Sequence, residues 1–273
     1  FVSAGAVGTP GEAIEIDSAP GLPDSTDLEA SASAALGVGN VFVTDTEGGL
    51  ELVAWNSLGA TSISGGGAAT ITALSPLTVT TAVNMAGNVI LVSDDNNADA
   101  APGAALTDDL TLNANVTSPG GDVRLLGGDN IVLNANVSAF STAILTADDE
   151  SIANADEFGG ITGAGTITAV NLVLRANNNV DLQGANDVTN LAADIDDDGF
   201  GANGISSLTF RDVTGLLEPT NGNLNIRSLD GVVGILTEGG TVRLIMDNLS
   251  FDLGVPIDTT DGGGFPAARV TLE

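Results

Sequence analysis

The 273-residue sequence contains no cysteine, histidine, lysine or tyrosine, and it contains a single tryptophan. Without cysteine the chain forms no disulfides, so packing and backbone hydrogen bonds must stabilise the fold. Histidine and lysine are the commonest general bases, and histidine is also the best ligand for soft metals. Their absence leaves six arginines as the only basic side chains. No apolar run of about 18 residues occurs, which predicts that the chain does not insert into a membrane.

Positive charge is scarce, because the six arginines face 36 acidic residues and the formal net charge is −30. Nucleic-acid phosphates would be repelled, which predicts no nucleic-acid partner. Such a surface attracts divalent cations, and outside cells calcium is the obvious candidate cofactor. The hydrophobic 43% consists mostly of Ala, Val, Leu and Ile, which suit narrow interiors built from short strands. The 36 glycines indicate frequent turns.

A short internal repeat determines the predicted fold. Residues 110–116 (Leu-Thr-Leu-Asn-Ala-Asn-Val) recur 21 positions later at 131–137 (Ile-Val-Leu-Asn-Ala-Asn-Val). Apolar residues alternate in both copies, as in a strand with Leu110, Leu112, Ala114 and Val116 facing inward. One coil of a β-solenoid needs two or three short strands with turns, which fits this spacing. The predicted class is all-β, a parallel β-helix of roughly 20-residue coils. A pair of β-sandwiches is the alternative, but sandwiches do not show a 21-residue self-match.

Two further patterns support short strands. A glycine, a polar residue and two apolar residues one apart recur at 87–91, 121–125, 222–226 and 240–244, where glycine supplies a turn before each strand. A longer, gapped similarity relates residues 28–50 to 191–216 and residues 77–91 to 249–272. It predicts about one and a half copies of a larger repeat.

The predicted solenoid spans residues 39–250. Residues 1–38 are predicted to form an N-terminal cap or a first irregular coil, and residues 251–273 a C-terminal coil or stacking segment. Open strand edges at the ends of a solenoid pair with another chain unless they are capped. The sequence therefore predicts self-association into a homo-oligomer or a filament.

Three segments, 121–137, 163–168 and 171–176, resemble the repeats of filamentous-haemagglutinin-like proteins, which are giant exported bacterial surface proteins. The resemblance implies a right-handed parallel β-helix, secretion or cell-surface display, and a role in adhesion or surface architecture. We interpret the chain as a structural or adhesive extracellular protein. It would be a segment or subunit of a repetitive solenoid that assembles end to end or laterally into a filament or surface layer. A glycan or another cell-surface ligand is a candidate partner.

The sharpest candidate metal site is an acidic loop that opens like an EF-hand calcium loop. Carboxylates at alternate positions can converge on one Ca²⁺, and the following Gly199 permits the turn. The twelfth position is Ile205, so the closing bidentate glutamate is missing. The alternative is a solvated loop in which Asp and Asn stabilise turns. The predicted ligands are Asp194, Asp196 and Asp198, with a second loop at Asp94, Asp95, Asn97 and Asp99 and a third acidic segment at 148–150.

The two Asn-Ala-Asn segments place amides on an outward face. We expect them to stack between successive coils as side-chain ladders, and glycan contact is the alternative. The residues concerned are Asn113, Asn115, Asn134 and Asn136.

An enzyme that acts on polysaccharides, a lyase or a hydrolase, is the alternative function, because some β-helix proteins have these activities. A lyase needs a base, and a hydrolase needs clustered carboxylates. Acidic loops exist here, but no His, Lys or Tyr accompanies them, and aromatic platforms for sugars are nearly absent. The sequence therefore predicts a protein without catalytic activity. Thr-x-Thr pairs at 70–72, 78–80 and 166–168 would suit ice binding, but their spacing is irregular.

Overall fold

The fold comes from a computed structural model that describes residues 2–3, 5–9, 11–16, 26–32, 39–46, 48–54, 61–74, 76–94, 108–148, 159–195, 206–212, 223–259 and 269–273. The regular elements within these ranges are β-strands, numbered β1 to β29 in chain order. No helix in this part of the chain could cross a membrane. The predicted all-β class is confirmed.

The strands form three parallel ladders, and the chain visits them in the same order in each coil. The first ladder contains β3 (Thr26–Leu28), β6 (Leu50–Leu52), β9 (Leu77–Val79), β12 (Leu110–Leu112), β15 (Ile131–Leu133), β18 (Ile161–Gly163), the start of β20 (Val180–Ile195), β21 (Ser206–Asp212), β26 (Gly239–Ile245) and β29 (Val270–Leu272).

The second ladder follows after one corner. It contains β1 (Val2–Ser3), β4 (Ala30–Ala32), β7 (Thr61–Gly65), β10 (Ala82–Met85), β13 (Val116–Ser118), β16 (Val137–Ala139), the start of β19 (Ile167–Ala176) and the middle of β20.

The third ladder completes each coil. It contains β2 (Ile14–Ile16), β5 (Val41–Asp45), β8 (Ala69–Ala73), β11 (Val89–Ser93), β14 (Val123–Gly127), β17 (Thr142–Ala147), the ends of β19 and β20, then β22 (Asn223–Ile226) with β25 (Ile235–Thr237), and finally β27 (Asn248–Phe251) with β28 (Ile257–Asp258). The remaining strands, β23 (Ser228–Leu229) and β24 (Val232–Val233), form an antiparallel hairpin. The parallel pairing of successive coils confirms the predicted parallel β-helix.

The core is a column of stacked side chains that the three ladders enclose. Alternate residues of each strand point inward, so register partners on neighbouring coils lie above one another and exclude water. In the first ladder this stack is fully buried and comprises Leu50, Leu77, Leu110, Ile131, Ile161, Leu208 and Val242. Phe210 is the largest fully buried side chain, and it lies between Leu182 and Leu244.

The length of a coil varies more than the 21-residue match suggests. The step is 21 residues from β12 to β15 and 19 from β18 to β20, but 34 from β21 to β26. In the 34-residue coil, part of the additional chain forms the β23–β24 hairpin between β22 and β25. The pairing of β21 with β26 also contains a register shift between Ser206 and Leu208.

The 21-residue repeat is correctly aligned, but each copy is two strands rather than one. The chain bends at Asn113 and Ala114, between β12 and β13, and Asn134 and Ala135 repeat that corner between β15 and β16. Ala114 is consequently only partly buried against the core. Alternating burial continues through a corner, so periodicity alone does not reveal the bend.

The longer repeat is wrong. It equates Val41, which lies in the third ladder, with Leu208, which lies in the first. It also equates Leu77 of the first ladder with Leu249 of β27, a strand of the third ladder. All three ladders present the same short alternation of apolar and polar residues, so similarity between strands does not establish an equivalent position.

The corner between the first two ladders brings successive coils very close together. A Cβ placed on Gly165 would lie 2.0 Å from the carbonyl oxygen of Ala135 in the preceding coil. One at Gly184, in the following coil, would lie 2.2 Å from the carbonyl oxygen of Gly165. No side chain fits at these distances, so glycine is required at Gly165 and Gly184, although the two preceding coils have Ala114 and Ala135 at this corner.

Candidate functional site

The last coil exposes an apolar surface, which we call the C-terminal end face and define by Phe251, Leu253, Val270 and Leu272. All four side chains are exposed. The other large exposed hydrophobic residues in the described part of the chain, Phe140, Val170 and Val233, are scattered singly along the rod. Clustered exposed apolar side chains are characteristic of interaction surfaces, whereas single ones are ordinary.

Three of these residues continue the buried stacks of the preceding coil. Phe251 is 48% exposed, whereas its register partner Ile226 is fully buried. Leu272 is 55% exposed, and its partner Leu244 is fully buried. Val270 likewise pairs with the buried Val242. These inward-facing positions are not covered by any described residue, and β27, β28 and β29 have no further strand paired to their outer edges in the described part of the chain.

The opposite end of the rod is closed more completely. Leu28 of the first coil is only 3% exposed, and Val7 is buried. Val7 is held by a parallel bridge to Val41, in which its amide donates to Asn40 and its carbonyl accepts from Phe42. These described residues of the first coil are therefore less exposed than their counterparts in the last coil.

Two ion pairs tie the last coil to the preceding one. Arg227 donates to a carboxylate oxygen of Asp252 at 2.7 Å, and Arg243 donates to Glu273 at 2.7 Å. Hydrogen bonds from Asn225 and then Arg227 hold the pKa of Asp252 below its usual value, and the bond from Arg243 does the same for the pKa of Glu273. Such exposed pairs add little stability, but they fix the register at the edge of the end face.

The predicted calcium ligands lie only partly within the described residues. Asp94 follows β11 and Asp194 lies near the end of β20, while Asp95, Asn97, Asp99, Asp196 and Asp198 lie outside the described residues. Asp148, which opens the third acidic segment, follows β17 and accepts a hydrogen bond from Asn177. The described part of the chain contains no group of three or more acidic side chains arranged to hold a metal ion.

The three acidic segments nevertheless share an edge of the rod. Each begins at the end of a third-ladder strand, and the strands concerned belong to every second coil. With about 4.8 Å between coils, their starting points are about 10 Å apart. Burial raises the pKa of Asp194, and the nearby Arg175 partly offsets that rise.

The amides of the Asn-Ala-Asn corners form the expected ladders. Asn134 donates its side-chain amide to the side-chain oxygen of Asn113 at 2.9 Å. The side-chain oxygen of Asn115 accepts from the backbone of Asn136, whose own side-chain oxygen accepts from Thr166 in the next coil. The ladder prediction is confirmed, and these oxygens are consequently engaged in joining coils.

Sequence reasoning did not find two features of the site. The end face looks like any other run of strands in the sequence, and only the register of β27 and β29 reveals its uncovered positions. The second feature is Asn186, which is fully buried within β20. Its side chain accepts from Ile167 and donates to the carbonyls of Leu182 and Arg211, which joins three coils at one corner.

Comparison of the chain with protein-family models, with curated proteins and with solved structures finds no match. The parallel β-solenoid therefore rests on the strand pairing described above.

Proposed function

We propose that this protein is a structural unit of a secreted or cell-surface β-solenoid, of the filamentous-haemagglutinin-like kind, that assembles end to end through the C-terminal end face. A role in adhesion, with a glycan or another surface ligand, is part of the same proposal. The observation that carries it is the row of core positions left open on the last coil.

The energetics favour association at this face. Complete burial of one large aliphatic or aromatic side chain stabilises a protein by about 1.5–3 kcal/mol. Several such side chains on one face can outweigh the loss of translational and rotational freedom on association. The open edges of β27, β28 and β29 would add backbone hydrogen bonds to an incoming strand. A second copy that presents its own solenoid end supplies both kinds of contact.

The experiment is a concentration series by sedimentation velocity on the wild type and on a Phe251→Glu/Leu272→Glu variant. We expect the wild type to associate and the variant to require a concentration about 100-fold higher or more, because two buried apolar contacts are lost and each 1.4 kcal/mol is tenfold. Growing filaments would indicate head-to-tail contacts, and a closed dimer would indicate that two end faces meet.

A matched control is Phe140→Glu/Val170→Glu, which adds the same charge at exposed apolar positions away from the end face. It should associate like the wild type. Wild-type protein that stays monomeric throughout, or association that both double variants weaken equally, would contradict the proposal. Cleavage of a uronate polymer by purified protein would instead support a β-helix enzyme.

Calcium remains a prediction for the edge at which the acidic segments begin. Repulsion among carboxylates destabilises a chain with a net charge of −30, and a bound divalent cation would offset it. At a calcium concentration about 100-fold above the Kd, we expect the melting temperature to rise by about 5–10 °C relative to EDTA. Magnesium at the same ionic strength is the control. Identical melting curves in calcium and EDTA would count against the site.

A further inference from the structure

A groove of about 480 Å³ lies on the outer face of the third ladder. Its floor includes outward side chains of successive coils, in the order Ile90, Arg124 and Ile144. Neighbouring positions in a parallel ladder are about 4.8 Å apart, so Arg124 lies between two aliphatic side chains. The rim is formed by Asn88, Asp122, Thr142, Asn171, Leu229 and Asp230.

The chain already docks a segment of its own beside this groove. Leu229 and Val232 of the β23–β24 hairpin pack on Ile144 and Val173, in a cluster separate from the main core. Asp230, which follows Leu229 in the hairpin, accepts two hydrogen bonds from Arg175. Its carboxylate accepts one at 2.9 Å, and its backbone carbonyl accepts the other at 2.6 Å. The outer face of the third ladder therefore binds an aliphatic residue followed by an aspartate.

Arg124 also lies on the outer face of the third ladder, but no carboxylate of the described residues is bound to it. It is exposed, and it forms no ion pair or hydrogen bond with any described residue. Arg175, Arg227 and Arg243 each bind a carboxylate. A guanidinium matches a carboxylate in geometry as well as in charge, so a carboxylate is the group that Arg124 is best suited to bind.

We propose that this groove binds an acidic peptide segment of a partner protein, in which an aliphatic residue precedes Asp or Glu. The aliphatic side chain lies against Ile90, because the hairpin already covers Ile144, and the carboxylate accepts hydrogen bonds from Arg124. Asn88 also lines the groove, and its side-chain nitrogen can donate a hydrogen bond to the peptide backbone. A saccharide fits less well, because the described lining residues include no aromatic ring on which a sugar could stack.

The test uses a fluorescent synthetic peptide, Ser-Leu-Asp-Gly-Val-Val, which copies residues 228–233 of the hairpin. We expect fluorescence anisotropy to detect binding to the wild type and the affinity to fall about tenfold or more in Arg124→Gln, since one charge-assisted contact is lost. The same loss is expected when the peptide carries Asn in place of Asp. Arg269→Gln, which removes an exposed arginine from the first ladder's side of the rod, should bind like the wild type.

Three further results distinguish binding of a partner peptide from displacement of the hairpin and from binding of a saccharide. The Phe251→Glu/Leu272→Glu variant should still bind the peptide, which separates this proposal from end-to-end assembly. If Arg175→Gln weakens binding and Arg124→Gln does not, the peptide is displacing the hairpin and the proposal is wrong. It is also wrong if a uronate disaccharide binds in an Arg124-dependent manner while the peptide does not. An unchanged melting temperature of Arg124→Gln excludes a folding defect.

Discussion

Replacing Phe210 with alanine is expected to destabilise the protein by about 3–5 kcal/mol, the usual range for a buried phenylalanine. The ring fills the first-ladder column between Leu182 and Leu244, and none of it is exposed. The strands on either side are fixed by their backbone ladders, so they cannot collapse into the space that the ring leaves. Urea unfolding followed by circular dichroism measures the loss as a lower midpoint with an unchanged slope.

The matched control is Phe140→Ala, because Phe140 is 66% exposed and its ring lies outside the core. A surface change of this kind usually alters the stability by no more than about 0.5 kcal/mol. Equal effects of the two substitutions would show that Phe210 does not occupy the core column, and the assigned register of β21 would then be wrong.

The second large effect is expected at Gly165, where an added methyl group has no room. Its carbon would lie 2.0 Å from the backbone oxygen of Ala135, and only a shift of the two coils could relieve that contact. Separating the coils would lengthen the hydrogen bond from Gly165 to the carbonyl of Leu133, now 2.8 Å. We expect Gly165→Ala to lower the stability by about 3 kcal/mol or more, in line with other severe backbone clashes.

Gly11→Ala provides the comparison, because nothing lies within 4 Å of the added carbon at that position. Its melting temperature should remain within about 2 °C of the wild type. If Gly165→Ala had the same melting temperature as the wild type, the coils at this corner would have to be farther apart than the structure shows.

The sequence was sufficient to predict the fold class, because its repeat combines two signals. Residues at 110–116 and 131–137 alternate with period two, and they match each other at a distance that suits one coil. Leu110 and Ile131 are indeed register partners, as are Val116 and Val137. Local alternation and long-range pairing therefore point to the same structure.

The coil lengths and the corners could not be predicted in the same way. Ala114 lies at a corner and is only partly buried, but it keeps the alternation of the strands on either side, so the sequence pattern does not reveal the bend. The longer repeat failed for a related reason, since strands of different ladders have similar compositions. Insertions between strands are also not visible in the residues that pair, so the 21-residue match does not determine the lengths of the other coils.

The candidate sites depend on register, which composition does not reveal. Phe251 and Leu272 are ordinary inward-facing residues until their positions at the end of the ladders are known. The alternation of apolar and polar residues places Arg124 on the outer face of β14, but its position between Ile90 and Ile144 follows only from the pairing of three coils. Both sites are formed by residues that are distant in sequence.

The direction of the hydrogen bonds has a mechanical consequence. The strands run across the rod, so the bonds between coils lie along its long axis. Tension applied at the two ends would therefore load one interface between coils at a time, and the coils would detach singly rather than together. Each detachment would release one coil of chain, such as the 19 residues from β18 to β20 or the 34 from β21 to β26. Under load the molecule would extend in steps of unequal length, dissipating energy at each one.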